Sequence, residues 1–491
     1  MNDSITQTIA RHSAVHPSKL CMTDGENDLS YEQVWRAVYG FALELRKQGL
    51  GESDCAVVEC TQNVEFLICC LSIQLIHAIF VPVEKNASPS RTLEIINGTE
   101  AKLYIGREKA DAATAFMPVS SALRYSFRHE IDIDSVDFPR REETSEILFS
   151  TGTTGKSKGI ELTHGNDIAL AENVMYGVNM KPGNVELIPL PLSHSHGLRR
   201  CFGNFLNGSS VVICNGVILI KKFFDLIRQY NVTALDLTPS VLSIIFRLSK
   251  DDLGSFADQL DYIQLGSAPL IESDKKRLKE LLPHTRLYNF YGTTESGCSC
   301  ILDFNSSDDK PGCIGRPAKN ASFIFVDENR KPLETSADDP GFIASHGSMN
   351  MKGYWRSPEL TSRTMSGGYI YTHDLGYSDG SGLIYYIGRE DDIINCGGIK
   401  ISPEEIESVI IKHPLISDCA CIPVPDKLKG HAPKLYLVVK KGEEFDEEKF
   451  RAFLSENLDA NKIPRVIERI NEIPRTYNGK IQRKKLSGNY C

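Results

Sequence analysis

Between positions 150 and 159 the chain reads Ser150-Thr151-Gly152-Thr153-Thr154-Gly155-Lys156-Ser157-Lys158-Gly159. Glycines let a backbone approach an anion closely, hydroxyls and consecutive N–H groups donate hydrogen bonds, and lysines supply positive charge, so this composition suits a phosphate-holding loop. It stops one residue short of a P-loop, because GxxxxGK[ST] needs glycine at position 150, where the chain has Ser150. A second feature lies near the C-terminus. Arg475, Lys480, Arg483, Lys484 and Lys485 follow one another without an intervening acid around an Asn478-Gly479 turn, an arrangement that can deliver a lysine to an anionic site. A third is His194-x-His196, two candidate metal ligands with no third nearby, so no zinc site is expected.

A phosphate loop needs a strand behind it, and the apolar run 146–149 supplies one. Short apolar runs alternate with helical patterns along most of the chain: 55–60, a helix from about Val64, then 79–83, the rhythm of strand and crossover helix. Further strands read at 186–189, 210–214, 234–237 and 262–265, so the fold class is α/β. From about 310 to 386 the texture shifts to Gly, Pro and aromatic residues with brief alternating runs at 322–326 and 382–387, which predicts an antiparallel β subdomain. The polar, glycine-flanked Gly388-Arg389-Glu390-Asp391-Asp392 then precedes a self-contained α/β pattern. These features predict a large N-terminal domain over 1–390 and a small, mobile C-terminal domain over 391–491. In the latter, Ser402 caps a helix with Pro403 at its first position and Ile406, Val409 and Ile410 on its buried stripe, and Asp446 caps a second.

The 491 residues carry a net charge of -9 with 41% hydrophobic content, which excludes a disordered chain and gives no general attraction to nucleic acid or anionic membranes. From Asp392 onward there are 17 Lys plus Arg against 15 Asp plus Glu, a net of +2, so the charge balance reverses near the expected boundary. Fourteen cysteines spread through a long chain whose first twenty residues lack an apolar signal core, with no CxxC, point to a reducing, cytoplasmic setting and buried thiols. The nearly apolar run 66–83 is broken by Ser72, Gln74 and His77 and ended by Pro82, and reads as a buried helix leading into a strand rather than a membrane span.

The loop at 150–159 closely resembles the phosphate loop of the adenylate-forming family, which includes acyl-CoA synthetases, peptide-synthetase adenylation domains and luciferases. Six further segments resemble that family's signature in the same order: Pro191-Leu192-Ser193-His194-Ser195-His196-Gly197, Gly266-Ser267-Ala268-Pro269-Leu270, Tyr291-Gly292-Thr293-Thr294-Glu295, Tyr371-Thr372-His373-Asp374-Leu375, Gly388-Arg389-Glu390-Asp391-Asp392 and Asn478-Gly479-Lys480. The resemblance implies an acyl-adenylate made from ATP and a carboxylic acid with release of pyrophosphate, then transfer to a thiol. It implies catalytic roles for Lys480, Thr294, Glu295 and His194, and a Mg²⁺ ion held by Glu295. ATP would be bound by Thr151, Gly152, Thr153, Thr154, Gly155, Lys158, Gly266, Ser267, Ala268, Asn289, Tyr291, Gly292, Thr293, Asp374 and Arg389. Asp391 would be the hinge, Gly397 and Gly398 would leave room for a pantetheine arm, and His194, Gly197, Pro239, Ser240, Gly266 and Cys298 would line the acyl pocket.

Three positions depart from the family pattern: His373 where glycine usually precedes the ribose aspartate, Ser157 for a common proline, and Ser193 for a common aromatic residue. A side chain at 373 is expected either to crowd the sugar or to make a new contact. The segment around His194 lacks the aspartate that holds an α-ammonium group in amino-acid-activating relatives, so a plain aromatic or aliphatic acid is expected in a mostly small or apolar pocket. Arg199 and Arg200 leave a dicarboxylate open. The expected activity is an ATP-dependent acid:CoA ligase. The alternatives are a free-standing enzyme that loads the phosphopantetheine arm of a separate acyl carrier protein, since no carrier domain fits after Lys480, a P-loop-like NTPase, and a catalytically dead nucleotide-binding module. No nucleic-acid partner is expected.

Overall fold

The computed structural model describes residues 3–111, 113–150, 158–306, 310, 312–390, 392–396, 399–426, 430–475 and 481–486. The chain forms two compact units, one of residues 1–323 and 344–371, the other of 324–343 and 372–491. Both mix helices and strands, in agreement with the α/β class expected from the alternating runs.

The first unit holds two sheets. In one, the order is Gly353–Tyr354, Lys158–Thr163, Thr144–Ser150, Ile79–Val83, Cys55–Glu59, Leu103–Gly106 and Ala115–Pro118. Its inner strands are parallel, as crossover helices require, while Thr144–Ser150 and Lys158–Thr163 form an antiparallel pair with Ser150 opposite Lys158. In the other, Arg286–Thr293, Tyr262–Gly266, Ala234–Leu237, Val185–Ile188, Ser210–Ile213 and Leu20–Thr23 run parallel in that order. Strand Gly297–Asp303 returns antiparallel beside Arg286–Thr293.

Helices Tyr31–Lys47, Val64–Leu75 and Ser195–Asn207 contribute to one buried cluster with residues from both sheets, including Val58, Phe80, Ile188 and Val211. Val64–Leu75 is buried all round and runs into the Ile79–Val83 strand, which accounts for the long apolar run. Among the described residues no helix is long and apolar enough to cross a membrane, and the cysteines are free and almost all buried.

In the second unit, Ile416–Asp426 and Gly430–Val439 form a long antiparallel pair, and Val466–Arg469 adds in parallel. Ser402 accepts from the Glu405 N–H at the start of helix Pro403–Ile410, and Asp446 accepts from Glu448 and Lys449 at the start of Glu447–Asn457, so both predicted caps form. Ile406, Ile410, Phe450 and Leu454 meet in one core with Leu435 and Leu437.

Candidate active site

Residues 151–157, and with them Thr151, Gly152, Thr153, Thr154 and Gly155, lie outside the described residues, as do Asp391, Gly397, Gly398 and Lys480. The strands that flank 151–157 are described. Lys158 opens the returning strand, and its Nζ stands 5.7 Å from the centroid of the Tyr354 ring, within cation–π range. Strand pairing puts Tyr354 there, because Tyr354 is opposite Ile160 in the antiparallel pair of Gly353–Tyr354 with Lys158–Thr163. The Tyr354 hydroxyl donates to Glu295 Oε1 at 2.8 Å, and Met351 N–H donates to the Glu295 carbonyl. One tyrosine thus joins the lysine at the exit of the candidate phosphate loop to the carboxylate expected to hold a metal ion.

Glu295 sits in a hairpin. Thr293 pairs with Gly297, and Thr294, Glu295 and Ser296 form the turn, closed by Ser296 N–H donating to Thr293 Oγ1 at 3.0 Å. Gly297 has φ +61°, and a Cβ there would lie 1.8 Å from Leu170 Cδ2, so the turn requires glycine. Glu295 is half-buried. Its Oε1 is oriented by Tyr354, and a single fixed, partly exposed carboxylate suits Mg²⁺, which keeps several waters and substrate oxygens as ligands. Alternation along Arg286–Thr293 puts Asn289, Tyr291 and Thr293 on one face and Tyr288, Phe290 and Gly292 on the other. Asn289 is buried, and its Oδ1 has no hydrogen-bond partner.

In the second unit, Asp374 and Arg389 are opposite each other on an antiparallel pair, with Arg389 Nε 3.5 Å from Asp374 Oδ1. His373 does not share the aspartate's face. Alternation turns it away, and its Nδ1 lies 3.1 Å from Glu390 Oε2.

His194 is the N-cap of helix Ser195–Asn207, and Gly197 lets that first turn close on the Pro191 carbonyl, which a Cβ would approach to 2.6 Å. Pro239 and Ser240 begin helix Pro239–Ser249 under a Thr238 cap. Gly266 ends the strand Tyr262–Gly266, and Ser267, at φ +71°, and Ala268 follow it. Cys298 is half-exposed on the strand after the Glu295 turn.

Both ring nitrogens of His196 face side chains of this chain. Among the described residues no group of three or more His, Cys, Asp or Glu side chains could hold a metal ion. His196 Nε2 is 2.9 Å from Asp236 Oδ1 and its Nδ1 is 2.8 Å from Ser267 Oγ. A carboxylate only accepts, so Nε2 carries the proton, and in the neutral ring Nδ1 accepts from the serine.

The arginine pair is not offered to a second substrate carboxylate. Arg199 pairs with Glu146 and Asp167, and Arg200 donates through Nε and Nη2 to Glu186, all fully or almost fully buried. Burial raises the Asp167 carboxyl to about 8 despite Arg199, and burial likewise raises Glu186 against the opposing pull of Arg200. The pocket segment is therefore more polar than its sequence suggested.

Tyr354, Asp236 and Gln264 were absent from the residues singled out in the sequence. A polar residue inside each of the apolar runs 234–237 and 262–265 was the available signal for the last two; Tyr354 carried none.

Residues 9–355 match the AMP-binding enzyme family and residues 405–480 match the AMP-binding enzyme C-terminal domain. The peroxisomal OPC-8:0-CoA ligase 1 of Arabidopsis thaliana is 27% identical, with 99% of this chain and 93% of that protein covered. Two solved structures share the fold over 98% or more of both chains: ATP-bound MatB from Rhodopseudomonas palustris, at TM-score 0.88 and 24% identity, and the o-succinylbenzoate CoA synthetase MenE from Bacillus subtilis in complex with the acyl-adenylate intermediate OSB-AMP, at TM-score 0.86 and 21% identity. With the first match alone spanning well over half its length, the chain belongs to the AMP-binding enzyme family.

Proposed function

We infer that this family member is an AMP-forming acid:CoA ligase. It activates a carboxylic acid with ATP to an acyl-adenylate, releases pyrophosphate, and passes the acyl group to the thiol of CoA. The observation that carries the reading is the Lys158–Tyr354–Glu295 arrangement, which brings a cation and an oriented carboxylate together beside the strand pair that flanks 151–157. A carboxylate attacking a triphosphate must overcome mutual repulsion, so the site has to offer fixed positive charge.

In this reading Lys158 and the loop residues 151–155 hold phosphate, Thr294 donates to the α-phosphate, and Glu295 holds Mg²⁺. When bound, that ion supplies charge neutralisation across the phosphate oxygens. Asn289, Tyr291, Gly292 and Thr293, with Gly266, Ser267 and Ala268, take the nucleotide, and Asp374 with Arg389 takes the ribose. Lys480 stabilises charge as the carboxylate oxygen meets the α-phosphorus. His194 lines the acyl site with Gly197, Pro239, Ser240, Gly266 and Cys298. Domain rotation about Asp391, at a functional boundary between 390 and 391, then brings Gly397 and Gly398 to the pantetheine arm.

CoA is favoured as acceptor by the naming of the Arabidopsis relative as a CoA ligase. The free cysteines favour a reducing compartment, and we place the protein in the cytoplasm. The test is ATP–pyrophosphate exchange across a panel of acids, followed by thioester formation with CoA or with a purified carrier protein. Exchange only when acid is present, then acyl-CoA, is expected. Phosphate release without any acid would overturn the reading in favour of an NTPase.

A further inference from the structure

Helix Ser195–Asn207 places His196, Arg200 and Asn204 at spacing i, i+4, i+8, on one face. Facing them on the parallel sheet are Glu186, Asp236, Tyr262 and Gln264, with Asp236 and Gln264 side by side as register partners. Contacts join the two sides: His196 to Asp236, Arg200 to Glu186 and the Tyr262 hydroxyl, and Asn204 to Glu186. The result is a polar layer where a helix on a sheet ordinarily packs apolar side chains.

The layer is not internally satisfied. Among the described residues Asp236 Oδ2 and Gln264 Oε1 are acceptors without a partner, and Asp236 and Gln264 are both fully buried. The Gln264 amide cannot be turned to relieve this, because its Nε2 donates at 2.6 Å to the Leu265 carbonyl, which only accepts. Arg200 Nη1 is a leftover donor, also buried. Unpaired buried polar atoms are costly, and a layer with two acceptors and a donor left over is complementary to a group that both donates and accepts.

The layer reaches the end of strand Tyr262–Gly266 at Gly266. A Cβ at that position would stand 3.1 Å from both His196 Cε1 and Gln264 Nε2 and 3.3 Å from the Phe290 carbonyl, closer than ordinary contact, so glycine lets the strand end lie directly against those two residues. The His196 side chain is 20% exposed while that of its partner Asp236 is fully buried, so solvent reaches the layer at His196. Gly266 is among the residues assigned above to the acyl pocket.

We propose that His196, Asp236 and Gln264 form a specificity subsite of the acyl pocket for a carboxylic acid bearing a neutral hydroxyl or aryl-amino group. This rests on the ligase reading and narrows it. The acid's O–H or N–H donates to the free Asp236 or Gln264 oxygen. An acid lacking the group leaves those atoms unpaired in the complex and is discriminated against, which is how a site built to bind a substrate hydroxyl rejects its deoxy analogue.

The test is acid-dependent pyrophosphate exchange with matched pairs: the hydroxybenzoates and aminobenzoates against benzoate, and hydroxyalkanoates against the parent alkanoates. At least one donor-bearing acid should exceed its parent in kcat/KM by about 100-fold or more. Asp236→Asn keeps the shape and the His196 contact but turns the free acceptor into a donor. It should collapse that ratio by about the same factor, and Gln264→Met should lower it as well.

Parents that match or outperform their donor-bearing partners throughout the panel would overturn the subsite, as would variants that slow both members of a pair equally. Exchange with no acid at all would overturn the ligase reading itself. Exchange with plain acids only would spare that reading and overturn this inference.

Discussion

Replacing Tyr354 by Phe removes one atom from the candidate site, the hydroxyl that donates to Glu295 Oε1 at 2.8 Å. The ring is 6% exposed and packs with Leu148, Ile160 and Ile370, and Phe preserves that packing and the aromatic face under Lys158. The folded state should thus lose little, under about 1.5 kcal/mol. The site should lose more. A hydrogen bond to an ionised acceptor is worth about 1.5–3 kcal/mol net, and the half-buried Glu295 lets water replace part of it, which places the loss near the lower figure. About 1.4 kcal/mol is a factor of ten in binding. Tyr354→Phe should therefore raise the Mg²⁺ concentration for half-maximal pyrophosphate exchange by about tenfold, while saturating Mg²⁺ restores most of the rate. Glu295→Gln should lose rate that Mg²⁺ does not restore. An unchanged Mg²⁺ dependence in Tyr354→Phe, or an equal fall at every Mg²⁺ concentration, would refute the positioning role.

Lys480→Ala should abolish most adenylate formation while thioester formation from a supplied acyl-adenylate continues; undiminished acid-dependent exchange would remove Lys480 from the reaction. Gly297→Ala should cost about 2 kcal/mol or more, from strain at φ +61° and the clash with Leu170, read as a lower denaturation midpoint. Glu407 gives a pH prediction. Burial raises its carboxyl to about 7, with Arg483 pulling the other way and Glu404 adding to the rise. A group raised in the folded state stabilises below its unfolded value and loses that contribution as pH climbs through the folded one. Stability should accordingly fall by about 3 kcal/mol between about pH 4.5 and 7 through this group. Calorimetry on Glu407→Gln should show that slope flattened, and an identical slope would count against the assignment.

The strands behind the candidate site were legible because parallel strands buried on both faces read as apolar runs, as Ile79–Val83 and Ala234–Leu237 do. Asp374 with Arg389 was legible as a motif, and strand register puts the two opposite each other. Tyr354 was not legible. Its role follows from pairing with a strand nearly two hundred positions earlier, and no local spacing encodes such a register. The concern over His373 had a similar origin: a motif fixes residue order, whereas the two-residue period of a strand decides which side chains share a face, and His373 goes to Glu390.

The helix that carries the polar layer argues that the layer is selected for chemistry rather than for packing. Leu198, Phe202 and Phe205 lie on the face of Ser195–Asn207 that enters the large apolar cluster, so the same helix demonstrates an ordinary hydrophobic solution on its other side. On the sheet-facing side, His196, Arg200 and Asn204 bring with them Glu186 and Asp236, which are fully buried carboxyl groups. Replacing a buried ion pair with well-packed apolar residues is often neutral or stabilising, by about 1–4 kcal/mol. Stability alone therefore gives no reason to keep Arg200 and Glu186 there. A closed network could still serve to fix one packing arrangement, but such a network would satisfy its own atoms, and Asp236 Oδ2, Gln264 Oε1 and Arg200 Nη1 are left over. What remains is a partner that reaches the layer at the partly exposed His196, and that partner is the acyl group whose hydroxyl or amino substituent completes the layer.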